Sequence, residues 1–443
     1  MDIESSGGVA LLVGDAASLT GTIQNSTFSQ NAGNDILAAI GDELPEDPNG
    51  TINVTIAENT LGNNRTASTL NGNIATGIRT IADAGTANFV VSSNVLTGDS
   101  ALTNSQAIFL RSQKSNATLL INSNGLNPNG GIGNEISGWI VGVNVTAENG
   151  GNATVDVFEA TIDAKCVLKF HSRQDGVLNS SINDTVMIAN VQPTETFDAI
   201  FLEGFNNGVL NIDFNNSIAA FSDPGLISTE EREFIYVEAS DSSTINFSID
   251  ELTVSTAMNA FDDFIRVQST QSSTITGQIN NSVLGATRGN ALHSDSFETS
   301  RVTLNVSQTG FIGNQGNGLD VEAGANSTVI VIADSNDFQA LGGNAIRLAA
   351  DSETPTEDSR LDVTLSNNNV LTTNPIIINS ESTNGMSQVL ANVIGNQSVS
   401  TITLDVDSNG GTATLTGFDD GNNTPTPTNN GTTSPTLLDL VFP

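Results

Sequence analysis

The amino-acid sequence predicts an all-β solenoid, namely a single-stranded right-handed parallel β-helix with three short strands in each coil. Two observations predict it. An apolar motif recurs along almost the whole chain, and each period holds three short segments in which apolar and polar residues alternate. The period is about 30 residues, which is typical of solenoids whose units bury their apolar faces only by stacking on their neighbours.

The first apolar position of the motif can be followed from residue 36 to residue 402, at intervals of 26 to 42 residues. These intervals predict about 13 coils, and Val9–Val13 would start one further coil. The positions are Ile36, Ile78, Ile108, Ile140, Val167, Ile200, Ile235, Ile265, Leu292, Leu319, Ile346, Ile376 and Ile402.

The strands within a period are clearest in residues 345–371. Ala345–Leu348 form the first segment, Leu361, Val363 and Leu365 alternate with polar residues in the second, and Val370–Leu371 form the third. Alternation at period two, with many β-branched residues, indicates strands. Leucine-rich repeats, propeller blades and the hexapeptide pattern of left-handed β-helices fit these segments less well.

The chain divides by composition into two parts. Residues 1–420 carry the repeat and are predicted to form one solenoid domain, whereas residues 421–443 are predicted to be a linker rich in Pro, Thr and Asn, followed by a short apolar tail. Loops are expected where the period stretches, at residues 41–50, 127–135 and 222–233.

The chain contains 54 Asn residues, and the predicted fold gives them a structural role. Tight turns between strands require left-handed backbone, which Asn, Asp and Gly adopt at low cost. Asn side chains at equivalent turns can also bond along the solenoid as ladders. The residues expected in this role precede the first strands of their coils and are Asn34, Asn290, Asn317, Asn344 and Asn374.

The charge of the chain restricts its partners. It carries 13 basic and 49 acidic residues, a formal net charge of −36. Nucleic-acid binding is excluded because too few cations are present to displace counterions from phosphates. Neutral glycans and host or cell-surface proteins stay open as partners. Few Lys, one Cys and abundant Asn, Thr, Ser and Gly predict an extracellular or cell-surface location, and no apolar run is long enough for membrane insertion.

The repeat resembles the right-handed parallel β-helix (pectate-lyase-like) superfamily, and within it the repeat-bearing, autotransporter-like passenger regions of bacterial surface proteins. Polymorphic outer-membrane members carry Phe-x-x-Asn followed by Gly-Gly-x-Ile. Here Phe28–Asn31 precedes Gly33–Ile36, Phe311–Asn314 precedes Asn317–Leu319, and Gly342–Ile346 stands in a third unit. The resemblance implies a secreted or surface protein, either an adhesin or a polysaccharide-cleaving enzyme.

Catalytic motifs of that superfamily are not found in the sequence. The resemblance would imply an Arg or Lys base with Ca²⁺ held by Asp, or clustered Asp with Gly-His-Gly and Arg-x-Lys. His171 and His293 lack that glycine setting, and no Arg-x-Lys occurs. Asp262–Asp263 and Asp419–Asp420 are interpreted as solvated turns in preference to catalytic pairs, and Glu230–Glu233 as a charged loop. No catalytic residue is therefore assigned.

Metal and other special sites are weakly indicated. Asp405–Gly410 begins like a calcium loop, but Thr416 stands where the bidentate Glu belongs, and Gly130–Glu135 is a single copy of a calcium-binding repeat. No metal ligand or cofactor is predicted, with Ca²⁺ as the open alternative. Cys166 is expected to be a buried small hydrophobe in preference to a reactive thiol. Trp139 is expected to pack in the core or between loops in preference to a sugar-contacting position.

The sequence therefore favours a non-enzymatic extracellular or cell-surface solenoid, an adhesin or passenger that presents an acidic face and loops to a partner. The alternative is a polysaccharide-binding or polysaccharide-cleaving β-helix. Sugar clefts use Trp and Tyr, and the chain has one of each, Trp139 and Tyr236. A strip of aromatic, Arg and Asp side chains along one face of four adjacent coils would favour the alternative.

Overall fold

The computed structural model describes residues 2–4, 8–14, 17–29, 33–41, 50–62, 75–98, 105–123, 125–191, 195–222, 232–255, 261–285, 287–313, 315–339, 341–352, 357–408 and 412–433. In these ranges the regular structure consists of 42 β-strands and no helix. Neighbouring strands of each sheet run parallel. The chain forms two compact units, Met1–Asp223 and Pro224–Pro443.

The strands of the first unit are β1 (Asp2–Glu4), β2 (Val9–Val13), β3 (Ser18–Gln24), β4 (Thr27–Ser29), β5 (Asn34–Ile40), β6 (Thr51–Ala57), β7 (Thr60–Gly62), β8 (Ala75–Ala82), β9 (Gly85–Ser92), β10 (Val95–Thr97), β11 (Ser105–Gln113), β12 (Ser115–Asn122), β13 (Glu135–Glu148), β14 (Asn152–Phe158), β15 (Thr161–Arg173), β16 (Val177–Asn183), β17 (Val186–Ala189), β18 (Ile200–Phe205), β19 (Val209–Asn215) and β20 (Ile218–Phe221).

The strands of the second unit are β21 (Ile235–Ala239), β22 (Thr244–Asp250), β23 (Thr253–Val254), β24 (Ile265–Ser269), β25 (Thr274–Asn280), β26 (Val283–Gly285), β27 (Leu292–Ser296), β28 (Arg301–Ser307), β29 (Gly310–Ile312), β30 (Leu319–Ala323), β31 (Thr328–Asp334), β32 (Asp337–Gln339), β33 (Ile346–Ser352), β34 (Asp358–Ser366), β35 (Asn369–Val370), β36 (Ile376–Ser382), β37 (Met386–Ile394), β38 (Gln397–Ser398), β39 (Ile402–Ser408), β40 (Thr412–Asp419), β41 (Thr428–Asn429) and β42 (Thr432–Thr433).

Each unit is a parallel β-helix solenoid, because every third strand pairs with the equivalent strand of the next coil. In the second unit the first strands pair in the order β21, β24, β27, β30, β33, β36 and β39. The second strands pair from β22 through β25, β28, β31, β34 and β37 to β40. A short third ladder runs from β26 to β38. The first unit follows the same plan with β5, β6 and β7 as one coil.

The predicted apolar positions lie inside the coils, and most of them are direct register partners. Ile36 pairs with both Val9 and Ile78, as the motif predicts. Seven positions from Ile235 to Ile402 form one unbroken row in the second unit. Alternate residues of these strands point inward, so the rows build a continuous apolar core.

Two predicted positions are wrong, since Val143 and Leu168 occupy the places assigned to Ile140 and Val167. The reason is that β13 and β15 run through a corner without a break. Their first residues pair with third strands and their later residues with first strands. A register shift between Ser137 and Trp139 displaces the motif along β13. Gly138 at this point has φ of 72°, which suits glycine.

Asn side chains form ladders, as predicted, although the deepest ladders use other residues. Asn317 and Asn344 donate their backbone N–H groups to the preceding Asn side chains, Asn290 and Asn317, at 2.8 and 2.6 Å. The fully buried ladders are Asn59, Asn94 and Asn134 in the first unit and Asn336, Asn368, Asn396 and Asn423 in the second. Left-handed backbone occurs at different Asn residues, including Asn281 and Asn367.

The predicted loops and linker are partly described. Residues 42–49 and 223–231 lie outside the described ranges, whereas 127–135 form a turn in which the Asn127 side chain accepts bonds from the N–H groups of Asn129 and Gly131. Within 421–433, β41 and β42 pair with β39 and β40. In the described ranges no helix is long and apolar enough to span a membrane.

Candidate functional site

The outer face of the first strands in the second unit carries a continuous set of polar side chains. Strand alternation directs Ile265, Leu292 and Leu319 into the core, so the residue after each of them faces outward. Parallel register then aligns these outward residues from coil to coil at about 4.8 Å. The result is two rows on one face of five adjacent coils, which we call the outer strip.

The rows of the outer strip follow the strand register directly. The first row contains Tyr236, Arg266, His293, Asp320 and Arg347. The second row contains Glu238, Gln268, Asp295 and Glu322. The Tyr236 hydroxyl donates to the Gln268 side chain and so joins the two rows at one end.

His293 lies at the centre of the strip between two carboxylates. Its Nδ1 is 2.8 Å from Oδ2 of Asp263, and its Nε2 is 3.0 Å from Oδ1 of Asp295. Burial acts to lower the pKa of His293, but the hydrogen bonds to Asp263 and Asp295 and their charges outweigh it and raise the pKa to about 10. His293 is therefore an imidazolium at neutral pH, with both N–H groups donated, and it cannot serve there as a general base.

Arg266 connects the strip to the loop before β21. Its Nη1 lies 3.2 Å from Oε1 of Glu233, and its Nη2 lies 3.3 Å from Oδ2 of Asp295. Burial opposes ionisation of Asp295, but the bond from His293 and the charges of His293 and Arg266 prevail and lower its pKa. Asp295 is thus a carboxylate held by two cations.

Glu322 is the neighbour of Asp295 in the second row and has the opposite character. Burial raises the pKa of Glu322, Arg347 opposes this, and the charges of Asp295, Asp351 and Asp320 add to the rise. Arg347 lies 2.9 Å from Asp320 and 3.7 Å from Glu322, so its closer ion pair is with Asp320. The second row therefore places a carboxyl whose pKa is raised, Glu322, beside one whose pKa is lowered, Asp295.

The interpretation of Asp262–Asp263 as a solvated turn is wrong for Asp263. Asp263 is buried, and its Oδ1 accepts the backbone N–H of Asn290 at 2.6 Å while Oδ2 meets His293. Asp262 is half-exposed and pairs with Arg288 at 3.3 Å. Glu233, assigned to a charged loop, is likewise buried against Arg266. Asp420 does lie in an exposed turn, where it bonds Asn422.

The outer strip could have been predicted from the spacing of its residues, although not from their types alone. Arg266, His293, Asp320 and Arg347 follow one another at intervals of 27 residues, each directly after a predicted apolar position. Equal spacing in a solenoid places side chains in one row. The contribution of Asp263 has no such signal, since it lies in a loop 30 residues before His293.

Three further residues singled out in the sequence belong to the first unit. Trp139 is buried and donates from Nε1 to the Leu96 carbonyl at 3.1 Å, which confirms the core position. Cys166 is also buried, and burial raises the pKa of its thiol to about 12. His171 lies in the first unit, where its Nδ1 is 2.7 Å from Glu203.

The indicated calcium segments have structural partners of their own. Asp405 accepts the N–H of Val406 and the side-chain amide of Asn430, while Asn409 and Gly410 lie outside the described residues. Glu135 begins β13 beside the turn at Asn127. Among the described residues no group of three or more His, Cys, Asp or Glu side chains is placed to hold a metal ion. Comparisons with protein-family models, curated proteins and solved structures find no match to this chain.

Proposed function

We propose that this chain is an extracellular or cell-surface solenoid that binds a neutral polysaccharide along the outer strip of the second unit. One observation carries the proposal: cationic and carboxylate side chains line two adjacent rows, over five coils in the first row and four in the second, with Tyr236 as an aromatic residue at one end. This is the arrangement that distinguishes a carbohydrate-binding β-helix from a scaffold whose faces carry unrelated side chains.

The chemistry of the strip suits a chain of sugar rings. Carboxylates of Asp295, Asp320 and Glu322 accept hydrogen bonds from hydroxyl groups, whereas Arg266 and Arg347 donate them. Tyr236 offers an aromatic face at one end. Repetition at the coil spacing gives an extended polymer several contacts along the strip, so that affinity can accumulate along it.

The charge balance of the strip favours a neutral polymer over an acidic one. Arg266, His293 and Arg347 are each paired with carboxylates of the strip or its loops. Within the described strip no cation is left over for an anionic sugar, and the formal charge of −36 repels polyanions at long range.

A panel experiment tests the proposal. The protein is mixed in turn with neutral and acidic polysaccharides and separated by size-exclusion chromatography, and we expect co-elution with a neutral polymer. Arg347→Gln should weaken the co-elution, whereas Arg301→Gln on β28, which removes the same charge from another sheet, should not. Failure of every neutral polymer to co-elute would contradict the proposal.

Cleavage of the bound polymer is a second candidate, favoured by the opposite pKa shifts of the adjacent Asp295 and Glu322. In such a reaction Glu322, whose pKa is raised, would be the candidate proton donor to the leaving glycosidic oxygen, and Asp295 would be the candidate base for the water molecule that attacks the sugar carbon. Shortening of the polymer by the wild type, lost in Glu322→Gln with binding retained, is the expected sign. An unshortened polymer leaves the protein an adhesive binder.

We further propose that the solenoid is right-handed, with about 13 coils, and belongs to the pectate-lyase-like superfamily beside autotransporter-like passenger proteins. Two of the motif residues that suggested this, Phe28 and Phe311, are buried, and Phe311 stacks on Phe338 with ring centroids 4.5 Å apart. An experimental electron-density map tests the handedness directly, because a left-handed coil path would exclude this superfamily.

A further inference from the structure

The outer face of the first strands in the first unit pairs aromatic rings with cations from the same chain. The Arg79 guanidinium lies 5.7 Å from the centre of the Phe109 ring. The Lys169 ammonium lies 5.8 Å from the centre of the Phe201 ring. Cations at such distances from a ring are attracted by its negative face. On this face, a cation of the same chain therefore lies near the ring of each of these two outward Phe residues.

Phe205 lies on the same face and lacks this arrangement. It ends β18 with 36% of its surface exposed, and among the described residues no cation lies over its ring. Phe205 is the register partner of Arg173, which is in turn the register partner of Glu148. These residues, with Gln174 and Glu203, line a cavity of about 360 Å³.

One carboxylate of the cavity has no ion-pair partner among the described residues. Arg173 donates from Nε to Glu203 at 2.6 Å, and Glu203 also meets His171 at 2.7 Å. Through Nη2 Arg173 also contacts Glu203 and lies 3.1 Å from Nδ1 of His171, so its guanidinium is held by these two residues. The Glu148 carboxylate makes no hydrogen bond or ion pair with any residue that the structure describes. The cavity thus combines a free carboxylate with a bare aromatic ring.

We propose that this cavity binds the guanidinium group of an arginine side chain from a basic protein partner. A guanidinium can pair with a carboxylate through two parallel hydrogen bonds and can stack on an aromatic ring. Glu148 and Phe205 supply these two surfaces, and the Gln174 side-chain oxygen supplies a further acceptor. The bound guanidinium would lie over the Phe205 ring as the Arg79 guanidinium lies over the Phe109 ring.

The charge of the cavity distinguishes this ligand from a neutral sugar. A sugar seated on Phe205 would take the Glu148 carboxylate out of water without neutralising it, which costs free energy. A cation removes that cost, and the charge of −36 attracts basic surfaces at long range. The proposal concerns the first unit and does not depend on polysaccharide binding by the second.

Saturation-transfer NMR tests the site with Nα-acetyl-arginine methylamide as the probe, at physiological salt. We expect transfer to the δ-methylene protons of the probe, which stack on Phe205. Glu148→Gln should weaken binding about tenfold, and Phe205→Leu, which keeps an apolar side chain, should remove most of the transfer. Asp213→Asn, which deletes one charge from the second strand sheet of the same unit, should leave both unchanged.

Two results would overturn the proposal. Equal binding by wild type and Glu148→Gln would show that the probe responds only to the overall negative charge. Saturation of methyl glucoside in place of the arginine probe would identify the cavity as a sugar site. Circular dichroism of each variant confirms that the fold is retained, and the side chains concerned lie on the outer face.

Discussion

His293 and Asp263 form an ion pair at 2.8 Å although they lie 30 residues apart in the chain. Asp263 is 3% exposed and cannot be solvated, and His293 is held at its other nitrogen by Asp295. One coil of the solenoid thus reaches back to the preceding coil through a charged bond. This pair positions the centre of the outer strip, and the first predictions concern it.

The two histidines of the chain should titrate far apart. The pKa of His293 is raised to about 10, whereas burial, opposed by Glu203, lowers that of His171 below its ordinary value. Proton NMR of the imidazole Cε1–H signals between pH 4 and 11 should resolve one titration below 6.5 and one near 10, with His293→Gln and His171→Gln giving the assignment. Two signals titrating together near the ordinary value of 6.5 would refute both environments.

The raised pKa of His293 has a consequence for stability. Its contribution to the free energy of unfolding is fully present below 6.5, the unfolded pKa, and is lost as the pH rises through about 10. The difference between wild type and His293→Gln should therefore shrink across that window.

Neighbouring aspartates should differ sharply in their effect on stability. Asp263→Asn removes a buried charge from His293 and should cost about 3 kcal/mol. Asp262→Asn is the matched control, since Asp262 is 33% exposed and its ion pair among the described residues is with Arg288, and it should cost less than about 1 kcal/mol. Urea denaturation measures the free energy of unfolding of both variants. Equal losses would mean that the buried pair stabilises the protein no more than the exposed one.

The buried Asn ladder should contribute more to the stability of the first unit than the exposed hydrogen bond between Asn88 and Asn53 does. Asn94 donates to the Ile56 and Ser92 carbonyls and accepts the N–H of Asn59, all within 3.0 Å. Asn94→Ala leaves these groups unsatisfied and should cost about 3 kcal/mol. Asn88→Ala breaks one exposed bond to Asn53 and should cost about 0.5 kcal/mol. Thermal unfolding of both variants compares them, and a harmless Asn94→Ala would count against the ladder.

The thiol of Cys166 should be inert in the native protein. Burial raises its pKa to about 12, so almost no thiolate exists at pH 8. A thiol-reactive chromogenic disulfide should label it only after denaturant is added. Rapid labelling of the folded protein at pH 8 would show that the site is open to solvent.

The sequence predicted the coil and its inward rows because both depend on local alternation and on regular spacing. Ile265, Leu292, Leu319 and Ile346 were placed in one row by spacing alone, and the structure pairs them directly. The predicted position of Ile140 was wrong because β13 turns a corner with a register shift, which the local alternation of residues does not indicate.

The candidate site was harder to predict, since each of its side chains is ordinary in its local context. His293 has no catalytic motif around it, and its character comes from Asp263 and Asp295, which reach it from the preceding loop and from its own strand. Such contacts follow from coil register and from loop paths. The register could have been computed from the 27-residue spacing, but the loop path could not.

The proposed binding of a neutral polysaccharide along the outer strip of the second unit can be tested at Tyr236. Tyr236 is the only tyrosine of the chain and lies in the strip, whereas the single tryptophan, Trp139, is buried in the first unit. The rate of Tyr236 oxidation in hydroxyl-radical footprinting, with and without a co-eluting neutral polymer, therefore reports whether the strip is covered. We predict that the polymer slows oxidation of Tyr236 several-fold and leaves Phe205 unaffected. Unchanged oxidation of Tyr236 under saturating polymer would contradict the claim.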